Sequence, residues 1–166
     1  PDETLQACRE SDAVLLGAVG GPKWDDPKAK TRPEVGLLRI RKELGLFANL
    51  RPIVALPQLV DASPLKREVV AGTDILFVRE NTEGEYSDAG GWVHRGTPHE
   101  LAIQTAVFTR TGCERIMRFA FELARKRNKK KRVTSVTKSN AQKYGMVFWD
   151  AIFNEVAAAY PDIATN

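Results

Sequence analysis

The chain has 166 residues, 43% of them hydrophobic and 28% charged, an ordinary balance for a globular protein with room for a real core. No apolar run approaches the ~20 residues of a membrane-spanning helix, and no signal-peptide pattern is visible. The formal charge of +4 conceals one segment: residues 125–132 hold seven basic side chains, so the rest of the chain, +4 less +7, sums to −3.

That basic run admits a nucleic-acid patch. No aromatic residue interleaves it, however, and cations at a helix C-terminus complement the helix dipole, so a solvated helix end is the reading adopted. Neither nucleic acid nor membrane is expected as a partner. Cys8 and Cys113 form no CxxC pair, no metal-site spacing and no disulfide framework, which points to a reducing cytoplasm. The chain opens on Pro1-Asp2 and ends on Ala164-Thr165-Asn166, and it reads as a piece of a longer protein.

In chain order, Ala13-Val14-Leu15-Leu16 is a short apolar run of the kind buried in parallel sheets. Gly17, Gly20, Gly21 and Pro22 then break the chain into a loop, where open α/β sheets hold ligands. Pro33-Glu34 starts a helix, with proline in the first turn and an acid at the positive end, and Gly45 stops it. Leu37, Leu38 and Arg41 lie on that helix, with Leu37 one turn before Arg41 on a shared face. Asn49-Leu50-Arg51-Pro52 predicts an edge or crossing strand, because proline removes a ladder donor and biases Arg51 to extended geometry.

Ile75-Leu76-Phe77-Val78 predicts a strand ending at Arg79-Glu80, and Asn81-Thr82-Glu83-Gly84-Glu85-Tyr86 a loop. The glycine-rich stretch that follows, with His94 and His99, reads as a hairpin or arm. A strand is expected over 102–108 and an amphipathic helix over 109–127, with Ile116, Phe119, Ala120 and Leu123 at helical spacing. A further strand (133–136) precedes Thr137-Lys138-Ser139-Asn140. A last helix (146–160) carries Phe148, Ile152, Phe153 and Val156 on its apolar side. Strands alternating with helices indicate an α/β fold.

Three arginines, Arg41, Arg51 and Arg79, stand near element ends, followed by Tyr86 and Lys138. A guanidinium fork binds carboxylates bidentately and stays charged at any physiological pH. A tyrosine and a lysine can move protons. The combination points to chemistry on a small anionic acid, although any one arginine taken singly fits a surface ion pair better.

The motifs Leu16-Gly17-Ala18-Val19-Gly20-Gly21-Pro22-Lys23-Trp24-Asp25, Arg32-Pro33-Glu34-Val35-Gly36-Leu37-Leu38 and Phe47-Ala48-Asn49-Leu50-Arg51-Pro52 resemble the isopropylmalate branch of the isocitrate/isopropylmalate family of β-decarboxylating dehydrogenases. Val78-Arg79-Glu80-Asn81-Thr82-Glu83-Gly84-Glu85-Tyr86-Ser87 and Thr134-Ser135-Val136-Thr137-Lys138-Ser139-Asn140 are closer to its tartrate and D-malate branch. The resemblance implies a two-domain α/β fold that is not a Rossmann fold, of which the middle part is present. Residues 1–46 would belong to the cofactor-side domain. Residues 47–166 would belong to the dimerising domain, with a partner-clasping β-arm near 88–101.

The implied reaction is NAD-dependent oxidative decarboxylation of a 3-substituted malate, assisted by Mg or Mn. Isopropylmalate and leucine biosynthesis are favoured, with tartrate or D-malate as the alternative. Arg41, Arg51 and Arg79 would grip substrate carboxylates, and Leu37 and Leu38 would face the C3 substituent. Asn140 would contact substrate or cofactor, and Gly21, Pro22, Lys23, Trp24 and Glu34 would line the cofactor site. Tyr86 would protonate the enolate carbon. Lys138 would take the hydroxyl proton, reaching the partner's site in a homodimer. Glu83 and Glu85 suit substrate selection or solvation better than metal, and no metal ligand is assigned. The metal-binding aspartates are expected beyond Asn166, so this piece alone should be inactive. A non-catalytic subunit of the same fold is disfavoured, because Tyr86, Lys138 and all three arginines are present.

Overall fold

The structure is a computed structural model describing residues 1–24 and 33–166, and it divides into two compact units, Pro1–Phe47 and Ala48–Asn166.

In the first unit, α1 (Asp2–Glu10) and α2 (Pro33–Glu43) are joined by two ion pairs, Arg9–Glu43 at 2.9 Å and Arg39–Asp2 at 2.6 Å. Leu5 is the buried apolar residue of α1. The α2 helix begins at Pro33 as predicted and ends in a hydrogen-bonded reversal. There the Leu46 amide donates to Arg41 O (2.9 Å) and the Gly45 amide to Lys42 O (3.1 Å). Gly45 takes φ +62°, a left-handed turn that glycine adopts without penalty, which is why the helix stops there. The strand expected at Ala13–Leu16 is not formed: the segment is irregular and Leu15 is fully exposed. A buried parallel strand needs flanking strands to take its backbone hydrogen bonds, and the described residues of this unit supply none.

In the second unit, β1 (Ala48–Val54) pairs antiparallel with β2 (Asp74–Glu80), placing Asn49 opposite Arg79 and Pro52 opposite Leu76. β1 has no second neighbour among the described residues, so Pro52 is tolerated on an edge. Between them lie a 3-10 turn (Pro57–Ala62) and the single-turn α3 (Arg67–Val70).

A second antiparallel ribbon joins β3 (Gly84–Val93) to β4 (Leu101–Val107), the predicted hairpin. β3 starts earlier than expected, so Tyr86 is on a strand rather than in a loop. Between Gly84↔Val107 and Ala89↔Thr105 the register slips, five steps along β3 answering two along β4. Tyr86 lies in that bulge, a device that re-aims a side chain.

The core of this unit is α4 (Arg110–Arg127) against α5 (Gly145–Ala157). Thr109 caps α4, its hydroxyl accepting from the Gly112 amide at 3.0 Å. The buried stripe is Cys113, Ile116, Met117 and Phe121; Phe119, Ala120 and Leu123 are only half-buried. Phe121 packs on Phe153 (centroids 5.6 Å apart) and stacks on Tyr160 (4.9 Å), and Ile152, Val156 and Ile163 are buried as well. The strand predicted over 133–136 shrinks to β5 (Arg132–Val133), parallel to β6 (Ala164–Thr165). No helix is long and apolar enough to cross a membrane among the described residues.

The basic run is the C-terminal turn of α4 and its exit, closed by Asn128 in the left-handed region at φ 48°. Arg125 pairs with Asp162, and Arg127 and Lys129 both pair with Asp74. These bridges fit the helix-end reading of the run.

Candidate active site

On the β1–β2 ribbon, directly opposed residues share a face, as do residues two apart. Asn49, Arg51 and Arg79 therefore stand on one face. The Arg51 Nε donates to Asn49 Oδ1 at 3.1 Å, and the Arg79 Nη2 donates to Asn81 Oδ1 at 3.2 Å. The guanidinium of Arg79 lies over the Tyr86 ring, 5.0 Å from its centroid, an attractive cation–π geometry. Two asparagines that orient the arginines were not singled out from the sequence. Their signal was present: each is two residues from its arginine, the spacing of a shared strand face.

Charge balance divides the described arginines into two groups, and Arg95, Arg118 and Arg132 fall with Arg41, Arg51 and Arg79 in the group without an ion pair. Arg9, Arg39, Arg67, Arg110, Arg115, Arg125 and Arg127 each hold a carboxylate. Among the described residues, Arg41, Arg51 and Arg79 have none. The Arg79 Nε is moreover buried without a hydrogen-bond partner. A buried, unsatisfied donor on a charged group is costly unless something else accepts from it.

The acids flanking Arg79 are already engaged. Glu80 accepts from Arg115 Nε (3.2 Å) and Nη2 (3.1 Å), and from the Thr82 amide (2.8 Å) and hydroxyl (2.6 Å). Glu83 accepts from the Thr109 amide (3.0 Å) and hydroxyl (2.6 Å) at the N-terminus of α4. The Glu83 carboxylate thus supports a helix end, where negative charge is favoured, rather than being merely solvated. Glu85 is exposed. Among the described residues, no three His, Cys, Asp or Glu side chains converge to hold a metal ion.

Lys138 and Asn140 lie in the exposed connection between β5 and α5. The Lys138 carbonyl accepts from the Ala141 and Gln142 amides at 2.9 and 2.8 Å, which turns the chain toward α5. No hydrogen bond, ion pair or ring contact joins Lys138 to Arg79 or Tyr86 among the described residues. In the first unit, Leu37 and Arg41 are half-buried on α2 and Leu38 is exposed. Gly21 takes φ +133° ahead of the 3-10 turn Pro22–Trp24, and the Lys23 Nζ sits 4.9 Å from the Trp24 ring centroid. Nothing lies within 4 Å of where a Cβ on Gly21 would be. Of the loop expected to line a cofactor, residues 25–32, including Asp25 and Arg32, lie outside the described residues; Glu34 is exposed on α2. His94 and His99 are in the β3–β4 connection, where the His94 carbonyl accepts from Thr97 and the His99 amide donates to the Thr97 hydroxyl.

Residues 1–166 match the isocitrate/isopropylmalate dehydrogenase family model. The chain is 52% identical over 165 residues to 3-isopropylmalate dehydrogenase from Geobacillus kaustophilus, covering 98% of this chain and 43% of that protein. It is 49% identical over 163 residues to 3-isopropylmalate dehydrogenase from Aquifex aeolicus, covering 98% and 44% respectively. It superposes on isocitrate dehydrogenase from Methylococcus capsulatus with a TM-score of 0.70 at 31% identity, over 99% of this chain and 44% of that one. The chain therefore spans less than half the length of these relatives.

Proposed function

The chain belongs to the isocitrate/isopropylmalate dehydrogenase family, and from that premise we propose that the full-length protein oxidatively decarboxylates a 3-substituted malate, 3-isopropylmalate first among them, in leucine biosynthesis. The observation that carries the proposal is the unspent charge of Arg79. Its fork is oriented by Asn81 and stacked on Tyr86, yet it lacks a carboxylate partner among the described residues. A substrate carboxylate supplies the missing acceptor, and Arg51, on the same ribbon face, offers a second fork. By the family resemblance, Arg41, Leu37 and Leu38 on α2 would take the remaining carboxylate and the apolar C3 substituent.

In this reading Lys138 takes the proton of the C2 hydroxyl as the C2–H bond breaks, giving a 3-carboxy-2-keto acid. The C3–carboxylate bond then breaks, carbon dioxide leaves, and its electron pair forms the enolate. Tyr86 delivers its phenolic proton to C3, and Arg79 above the ring attracts the negative charge that develops on the phenol. Bound NAD supplies the hydride acceptor. Gly21, Pro22, Lys23, Trp24 and Glu34 would line it, and the bare backbone at Gly21 leaves room for close approach. Mg or Mn belongs to the proposal as a Lewis acid. The described residues provide no set to hold it, so none of these steps runs through it.

The ribbon β3–β4 leaves Trp92, Leu101 and Ile103 exposed, which supports its proposed use as a clasp in a homodimer, with Lys138 serving the partner's site. The loop motif over 78–87 favours tartrate or D-malate as the second reading of substrate choice. Steady-state NAD reduction by the full-length protein with Mg or Mn decides between them. A kcat/KM preference for 3-isopropylmalate over D-malate, tartrate and isocitrate is expected. A tartrate or D-malate preference would move specificity to that loop, and no turnover on any of the four would overturn the catalytic reading.

A further inference from the structure

Between Arg79 at the end of β2 and Tyr86 in the bulge of β3, the chain is docked on the N-terminal turns of α4 by two carboxylates. Glu80, with a side chain only 11% exposed, is held by both arms of the Arg115 fork and itself binds Thr82. Arg115 adds a bond from Nη2 to the Thr82 hydroxyl at 2.5 Å. Three residues on, Glu83 closes over the α4 terminus at Thr109. The fit there is tight: a Cβ on Gly112 would lie 2.1 Å from the Glu83 Oε2, so glycine is what admits the carboxylate.

Arg79 is fixed by strand pairing to Asn49, whereas Tyr86 sits in a bulge where the ladder is interrupted. The docked segment is therefore what sets the Tyr86 ring under the Arg79 guanidinium. We propose that Arg115, acting through Glu80, and Gly112, acting through Glu83, are positioning residues for Tyr86, with α4 as the rigid support. This rests on the assignment of Arg79 and Tyr86 to the active site. A proton donor displaced by about 1 Å costs catalysis on the order of a hundredfold, so such support has kinetic weight.

The test uses the full-length protein with two variants. Arg115→Lys keeps the charge facing Glu80 but loses the fork. Gly112→Ala displaces the Glu83 carboxylate while favouring the helix, since alanine is the better helix former. With 3-isopropylmalate, NAD and Mg, each variant is expected to lose about 10- to 100-fold in kcat, with KM changed by less than about threefold. Hydrogen exchange should quicken at the Thr82 and Thr109 amides and stay unchanged in α5. A kcat within about twofold of wild type in both variants would overturn the proposal while leaving the activity intact. So would loss of kcat with faster exchange throughout α4 and α5, which marks a merely structural role. If the wild type turns over none of the four acids, the activity reading fails, and the exchange at Thr82 and Thr109 still decides: local quickening supports the docking, and none overturns it.

Discussion

Arg79 stands over the Tyr86 ring with its guanidinium carbon 5.0 Å from the centroid, joining the end of one β-ribbon to the bulge of the next. The two side chains are seven positions apart, and neither the β2 strand nor the β3 strand alone would bring them together. The contact links the proposed carboxylate clamp to the proposed proton donor.

Arg79→Lys in the full-length protein should lower kcat/KM about 10- to 100-fold, the loss of a charge-assisted fork contact of roughly 1.5–3 kcal/mol. Folding should be unaffected, because the side chain is held only by one long bond to a neutral asparagine and by the Tyr86 ring among the described residues. Turnover close to wild type would sink the clamp assignment.

Tyr86→Phe keeps the ring beneath Arg79 and removes the phenolic proton. Single-turnover measurements should show hydride transfer nearly intact and enolate protonation slowed. Equal slowing of both steps would count against the role.

Phe121 is fully buried between Phe153 and Tyr160, so Phe121→Ala should destabilise the second unit by about 3–5 kcal/mol through lost burial and the cavity left behind. Denaturant unfolding measures it. A cost below about 1 kcal/mol would mean that the α4–α5 core collapses to fill the gap.

Hydrogen bonds from Lys129 and Arg127 hold the Asp74 carboxyl below its ordinary range, and Arg125 does the same for Asp162. A depressed folded-state value stabilises above the ordinary carboxylate range and is lost as pH falls through the folded value. Asp74→Asn should therefore lower Tm at neutral pH and flatten its decline in acid. Added salt should shrink the difference, because the pairs face water. An unchanged acid limb would show that the Asp74 bridges contribute nothing to stability.

Much of this was legible in one dimension. The Pro33 start and Gly45 stop of α2, the extent of α4, and the edge character of Arg51-Pro52 follow from local rules: missing donors, left-handed φ and apolar periodicity within a few residues. The three arginines, Tyr86 and Lys138 could be picked out by residue type and motif. Their charge balance could not, since it depends on which acids lie across space.

The tertiary structure decided the rest. It left Ala13–Leu16 unpaired, because a strand exists only through a neighbour that the segment cannot specify. It turned the core stripe of α4 toward Phe121 rather than Phe119, since periodicity identifies an apolar face but its partner fixes the rotation. It also made Glu80 and Glu83 struts instead of solvated acids by bringing Arg115 and Thr109 to them from more than 25 positions away. The sequence by itself determined which groups were available and where helices start and stop, because those are contacts between near neighbours. Which charges are paired and which are left without a carboxylate among the described residues was settled by contacts between distant residues, which only the folded chain makes.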